Sequence, residues 1–229
     1  MTTSRKYYKP KGREFLERVE ANTPGAVRIE YQLRDGTAGH YFACKKEYLR
    51  GVIESIYFKE GNFGKSLMIN LINGEEKTAI QATVDTDYAT TLMHLIPSLD
   101  LKKEVIFAPY DFITKVVQEG QKPKRIRGMS LKQDDEKVKK FFFDSEARKA
   151  LHGAPEFDGD TKDKADWRLH FMKVNNFLVK YITANFATEQ EETKGYGNRL
   201  DDFDNKVTQD VPPTQDEPSD DINPEDIPF

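Results

Sequence analysis

The chain of 229 residues holds a single cysteine, Cys44. One thiol makes no internal disulfide and no zinc site built on two or more cysteines, so Cys44 reads as a small buried hydrophobe. Histidine is nearly as scarce. His40, His94, His152 and His170 lie far apart and form no H-x-x-x-H pair, which leaves a metal site without local support. Long apolar runs are missing too: no stretch approaches the roughly eighteen apolar residues of a membrane helix. The opening MTTSRKYYKPKGREF has bases but no apolar segment behind them, so no secretory signal is expected.

Catalytic signatures are equally thin. Gly64-Lys65-Ser66 imitates the end of a phosphate-binding loop, but Lys59 stands where the first glycine belongs, and the context is a hairpin. Asp158 to Asp163 opens like a calcium loop. Lys162 then occupies a ligand position, and Leu169 sits where the bidentate glutamate belongs. There is no G-x-S-x-G elbow, and Asp134-Asp135-Glu136 reads as a solvated turn rather than a two-metal site. Neither an enzyme nor a bound cofactor or metal is expected.

What the chain does have is charge, unevenly divided. From Ala187 onward three bases face thirteen acids, a net of -10, which leaves 32 bases and 26 acids, or +6, for the rest. A basic body thus carries an acidic tail. Such asymmetry points to nucleic acid, because clustered Lys and Arg attract phosphate while an acidic segment screens them. A solvated tail that only aids solubility is the plain alternative. The tail also holds Pro212, Pro213, Pro218, Pro224 and Pro228 without apolar periodicity, so 187–229 is expected to be disordered. Residues 1–13 are expected to form a flexible basic arm.

Between these ends, strand signals dominate. Val27, Ile29, Tyr31 and Leu33 alternate with polar residues, and Asp35-Gly36 turns the chain toward a second strand at His40 to Lys45. YLRGVIESIYFK, KSLMINLI and KTAIQATV follow as three strands joined by EGNFG and by a turn at Asn73-Gly74. Tyr88, Leu92, Leu95 and Ile96 then fall at helical spacing, with Asp85 or Thr86 as the cap and Pro97 at the end. EVIFAPYDFI and KRIRGMSLK add two more strands, and Trp167, Phe171, Val174, Leu178 and Tyr181 or Ile182 share a face of a later helix.

Three strands, a helix and two strands is the element order of the OB-fold, a five-stranded barrel that binds oligonucleotides. The expected class is therefore mainly β with added helices (α+β). A barrel over about 48–132 would sit inside a domain of 14–186, with N-terminal strands before it and a C-terminal helix after it. The helix aromatics, Trp167 and Phe171 included, read as core.

Candidate binding residues follow from alternation. Tyr57 and Phe58 must face opposite sides, and Phe58 aligns with Ile56 and Val52, so Tyr57 is the ring offered to a base, with Lys59 on its face. Phe63, at the tip of EGNFG, is a second loop aromatic, beside Lys65. KPKRIR places Lys122, Lys124, Arg125 and Arg127 between the last two strands, where they would track phosphates. An ordinary charged hairpin or a nuclear-import signal is the alternative reading.

The chain ends in SDDINPEDIPF. Asp226-Ile227-Pro228-Phe229, with Glu225, Asp221 and Asp220 before it, resembles the C-terminal tip of bacterial single-stranded DNA-binding proteins, whose tails end in aspartates followed by Ile-Pro-Phe. Glu225 and Pro224 stand where further aspartates are usual. The resemblance is to the tail motif and to the element order of the body, and it fits a divergent, bacteriophage-type relative. It implies that Phe229 offers a ring and a terminal carboxylate to a partner's pocket, while Asp226 meets a basic rim.

The expectation is a non-catalytic, cytoplasmic protein, in the host cytoplasm if of bacteriophage origin. It would coat and protect single-stranded DNA during replication, recombination or repair and recruit enzymes through its tip. A replication-associated nuclease with an acidic tail and an RNA-binding OB-fold protein remain the alternatives, since no residue reads the 2'-hydroxyl decisively.

Overall fold

The computed structural model describes residues 4–32, 36–61, 64–114, 123–147 and 149–188. Phe63, Lys122 and the whole tip Asp226 to Phe229 lie outside them. The fold is mainly β with two helices. In chain order come β1 (Lys6–Lys11), β2 (Glu14–Val19), β3 (Val27–Gln32), β4 (Ala38–Lys46), β5 (Leu49–Gly61), β6 (Gly64–Asn73) and β7 (Glu76–Thr83). Helix α1 (Asp87–Leu95) precedes β8 (Glu104–Ile113), β9 (Arg125–Gln133), β10 (Glu136–Lys137), β11 (Phe143–Asp144), β12 (Lys149–Ala150) and α2 (Lys164–Asn185).

Ten strands form one sheet in the order β10-β9-β8-β5-β6-β7-β1-β2-β4-β3, and β11 pairs with β12 alone. Strand neighbours are antiparallel except β1 with β7, where Tyr7 lies beside Ala79 and Tyr8 beside Ile80. The five strands expected to make a barrel are consecutive, as β9-β8-β5-β6-β7, but β7 and β9 do not pair. The sheet is therefore not closed into a five-stranded ring. The physical reason is β1, which takes the hydrogen-bonding edge of β7 that closure would have used.

That same strand corrects the expectation of a mobile N-terminal arm. Tyr8 is 1% exposed within the core, and its hydroxyl donates to Glu17 Oε2 at 2.9 Å. Alternation explains how so basic a segment can be a strand: Tyr8 points inward while Tyr7 and Lys9 point out. β2, which the sequence reading missed, continues the pattern with Phe15 fully buried.

Helix α1 starts where Thr86 Oγ1 accepts the Ala89 N–H at 3.4 Å, and it buries Tyr88, Ala89, Leu92, Met93 and Leu95. Pro97 sits in a single 3-10 turn, Ile96–Ser98, that ends it. In α2 the expected apolar face is only partly inward: Trp167, Leu178 and Ile182 are buried, whereas Phe171 is 38% exposed. No helix is long and apolar enough to cross a membrane among the described residues. After α2 the chain returns to the sheet, where the Thr188 N–H donates to Ile56 O at 2.9 Å.

Candidate nucleic-acid interface

A bulge decides which side chains β5 shows. The register against β6 shifts between Ile53 and Ser55, so the inward set changes parity from Leu49, Gly51 and Ile53 to Ile56 and Phe58. Val52, expected to align with Ile56 and Phe58, is instead 38% exposed on the other side. Tyr57 keeps its expected place opposite Phe58, half-buried on the face turned away from the core. Across the sheet the row continues through Met68 of β6 and Gln81 of β7. The adjacent row holds Ser55, Asn70, Ala79 and Tyr7, with Asn70 Nδ2 donating to Ser55 Oγ at 2.7 Å. Lys59, opposite Ser66, shares the face with Tyr57. Tyr57 and Tyr7 therefore flank a shared face whose middle, at Ser66, Met68, Asn70 and Ala79, is buried.

Lys65 does not join them. Its parity is that of Leu67, on the core side, and its ammonium pairs with Glu60 at 3.1 Å near the hairpin end. Lys124 is half-buried, and its backbone is tied to Thr114: its carbonyl accepts the Thr114 N–H at 2.7 Å, and its own N–H donates to Thr114 Oγ1 at 3.0 Å.

Arg125 and Arg127 do share one exposed side of β9, but each comes with a carboxylate. Arg125 grips Asp111 in a two-pronged bond, Nε to Oδ1 at 2.7 Å and an end nitrogen to Oδ2 at 2.6 Å. Arg127 Nε donates to Asp87 Oδ2 at 3.1 Å, joining β9 to the first turn of α1. The bond from Arg125 holds the Asp111 carboxyl below the usual carboxylate range, and Arg127 and Arg13 add to the effect. Arg13 belongs to the same cluster, since its Nε donates to Asp111 O at 2.7 Å. Three guanidiniums around two carboxylates leave a surplus of one positive charge. The Arg127–Asp87 pair is exposed on both sides and weakly held, so a phosphate can exchange for that carboxylate, whereas the Asp111 side chain is covered by the two-pronged Arg125 bond.

The two patches are not on one face. Arg125 and Arg127 have the parity of Met129 and Leu131, which are core residues, whereas Tyr57 is on the opposite side of its strand from Ile56 and Phe58. Tyr57 and Lys59 therefore do not form one patch with Arg125 and Arg127, while Phe63 and Lys122 lie outside the described residues.

Sequence reasoning also passed over a cleft of about 680 Å³ between α1, the β8–β9 edge, residues 140–143 and 149–157, and α2. One wall is Phe157 stacked on Trp167, with ring centres 3.9 Å apart and planes 14° from parallel. Tyr110 and Thr91 of the opposite side pack closely on Gly128, where a β-carbon would collide with the Tyr110 hydroxyl and Thr91 Oγ1. Burial and then the Lys140 charge push His94 down to about 4, so its imidazole is neutral, and its Nδ1 is buried without a hydrogen-bond partner. Burial alone lowers the Lys140 ammonium. Trp167 is buried as expected while Phe171 is 38% exposed, because a helical apolar stripe has the same spacing whether it meets a core or a cleft.

No family model, curated protein or solved structure matches this chain. Its chemistry must be argued from its own residues. Among the described residues no group of three or more His, Cys, Asp or Glu side chains could hold a metal ion. The acidic run Asp134-Asp135-Glu136 lies at the turn between β9 and β10, with Lys103 Nζ 2.6 Å from Asp134 Oδ2.

Proposed function

We propose that the protein is a non-catalytic binder of single-stranded DNA that coats and protects the strand and recruits other proteins through its acidic end. The observation that carries this reading is that Tyr57 and Lys59 of β5 and Tyr7 and Lys9 of β1 share one side of the sheet, around a buried centre of Ser66, Met68 and Asn70. Unpaired bases stack on such rings with little sequence preference, while lysines accompany the phosphates. A duplex hides its base faces and gains nothing there.

Three further features support it. The strand run β9-β8-β5-β6-β7 has the order of an OB-fold, in which the second and third strands carry the binding face. The body holds a surplus of bases, and the tail a larger surplus of acids. The tip Asp226-Ile227-Pro228-Phe229 has the ring, proline and acids of a partner-docking end, and the last described residue, Thr188, lies beside β5 at Ile56. The Arg13, Arg125 and Arg127 cluster would be a second phosphate contact on the same strand's path. Host-cell replication and repair enzymes are the partner class that such a tip would serve.

Titrating the protein with labelled oligothymidylate and with duplex of equal length at several salt concentrations tests the reading. Single strand should bind more tightly, with log affinity falling against log salt at about -0.7 per phosphate neutralised. Equal duplex affinity would overturn it. Metal-dependent cleavage of the oligonucleotide would favour a nuclease, and tighter binding to the ribose version would favour an RNA-binding protein.

Tyr57→Ala should weaken oligothymidylate binding by about 1–3 kcal/mol, the usual worth of one stacked base. Phe58→Ala should lower the unfolding midpoint instead, because Phe58 packs on the core. Anisotropy titrations beside urea denaturation of both variants separate these effects. An unchanged affinity in Tyr57→Ala removes that ring from the interface.

A further inference from the structure

The cleft between α1 and α2 is not explained by strand coating on the sheet face. We propose that it takes one nucleotide of a bound single strand, with the unpaired base entering beside Phe157, Trp167 and Phe171 and its phosphate meeting Lys140. This rests on the reading of the protein as a single-strand binder and adds a specific subsite to it.

The chemistry of the lining selects the ligand. A volume of about 680 Å³ is within the range of small-molecule sites. The aromatic wall calls for a flat, polarisable group: Phe157 and Trp167 lie nearly parallel, His170 meets Phe157 edge-on at 5.4 Å, and Phe171 is tilted 31° to Trp167 at 6.0 Å. A hydrocarbon would satisfy those rings but not the polar groups around them. His94 Nδ1 is buried and unpartnered, and Thr90 Oγ1 donates to Asn175 Oδ1 at 3.0 Å on the same lining. A buried nitrogen left unpaired is costly, and a base edge carrying donors and acceptors would recover that cost.

Charge narrows the choice further. Lys140 lines the cleft half-buried, its ammonium 5.6 Å from the Phe143 ring centre, and burial is the one influence that shifts it. A desolvated cation of this kind is completed by an anion. Asp85, Asp87 and Glu156 on the same lining match Arg127, Lys140 and Lys149 in number, so the lining has no surplus positive charge for a polyanion such as a triphosphate. A flat base with a singly charged phosphodiester fits, and one link of a DNA strand has that composition. Access is consistent with this: Arg127 lines the cleft and also belongs to the arginine cluster of β9. A strand held at Arg13, Arg125 and Arg127 is therefore already at the opening.

Trp167 is the chain's one tryptophan, so its emission reports this cleft. The full chain is titrated with deoxyadenosine monophosphate, deoxyadenosine, inorganic phosphate and an oligothymidylate, following Trp167 emission, while oligomer binding is followed separately by anisotropy. The expected result is a saturable change with the monophosphate and with the oligomer. Deoxyadenosine should bind roughly tenfold more weakly than its monophosphate, and that difference should vanish in Lys140→Ala. Urea denaturation of Lys140→Ala checks that the variant is folded, and His94→Gln, which should weaken both nucleoside and nucleotide, is a second probe. If the oligomer binds by anisotropy while Trp167 does not respond to it or to the monophosphate, the cleft proposal is overturned and strand coating stands. If inorganic phosphate reproduces the whole response, the base site is overturned. Absence of oligomer binding by anisotropy would overturn strand coating, and the cleft proposal with it.

Discussion

Tyr8→Ala is expected to destabilise the protein by about 3–5 kcal/mol, the cost of removing a large buried aromatic side chain. Tyr8 lies in a segment rich in bases that looks dispensable, yet it is 1% exposed and packs into the main core. Three contacts fail together when it is truncated. The ring leaves a cavity, Glu17 loses the phenolic hydrogen bond at 2.9 Å, and Lys46 loses an aromatic face 5.2 Å from its ammonium. Tyr8→Phe keeps the packing and should forfeit the smaller share. Urea denaturation reads both variants as a shift in midpoint at constant slope. A change under about 0.5 kcal/mol in Tyr8→Ala, typical of exposed sites, would mean that β1 is not docked in solution.

Acidification from pH 7 to pH 4 is expected to cost on the order of 3 kcal/mol of stability through His94, whose folded value of about 4 lies below its ordinary 6.5. In the unfolded chain the imidazole takes a proton as the pH drops through 6.5, while in the folded protein it resists until about 4. Within that window the unfolded state binds more protons, so stability falls as pH falls; above it the ring is neutral in both states and adds no slope. Burial, opposed by Asp158, lowers His170 in the same direction. Asp111, held down by Arg125, and Asp144, held down by the Ala147 and Glu146 N–H groups, lose their contribution only at still lower pH. Lys140, itself lowered by burial, faces His94 and its charge opposes the imidazolium. Urea denaturation at each pH should show the decline in the native protein and a flatter profile in His94→Gln and in His94→Leu. Parallel profiles in all three would show that His94 does not titrate this way.

Much of the central sheet was legible in the sequence for local reasons. EVIFAPYDFI is a short apolar and aromatic run rich in strand-forming residues, and β8 spans Glu104–Ile113. Tyr88, Leu92, Leu95 and Ile96 repeat at helical spacing behind Thr86, and α1 begins at that cap. That Arg125 and Arg127 share one side of β9 follows from the period-two rule.

What was misread depended on partners distant in the chain. A bulge at residue 54 reverses the parity of β5, and no property of Val52 announces it, because the extra residue is defined only against β6. The N-terminal segment scored as a mobile arm on polarity alone, although a strand with one face in solvent can be half basic and still bury Tyr8. The carboxylates that hold Arg125 and Arg127 come from β8 and from α1, 14 and 40 residues away.

By itself the sequence determined the alternation of most strands, the start of α1, the division of charge between body and tail, and the identity of the last four residues, since each is a property of neighbours along the chain. Only the tertiary structure decided that the sheet stays open, that Tyr57 and the arginines fall on different faces, and that the aromatics of α2 wall a cleft. These depend on which strand takes the edge of β7 and on how α1, α2 and residues 140–143 and 149–157 meet, and long-range pairing of this kind leaves no periodic trace in the residues that take part.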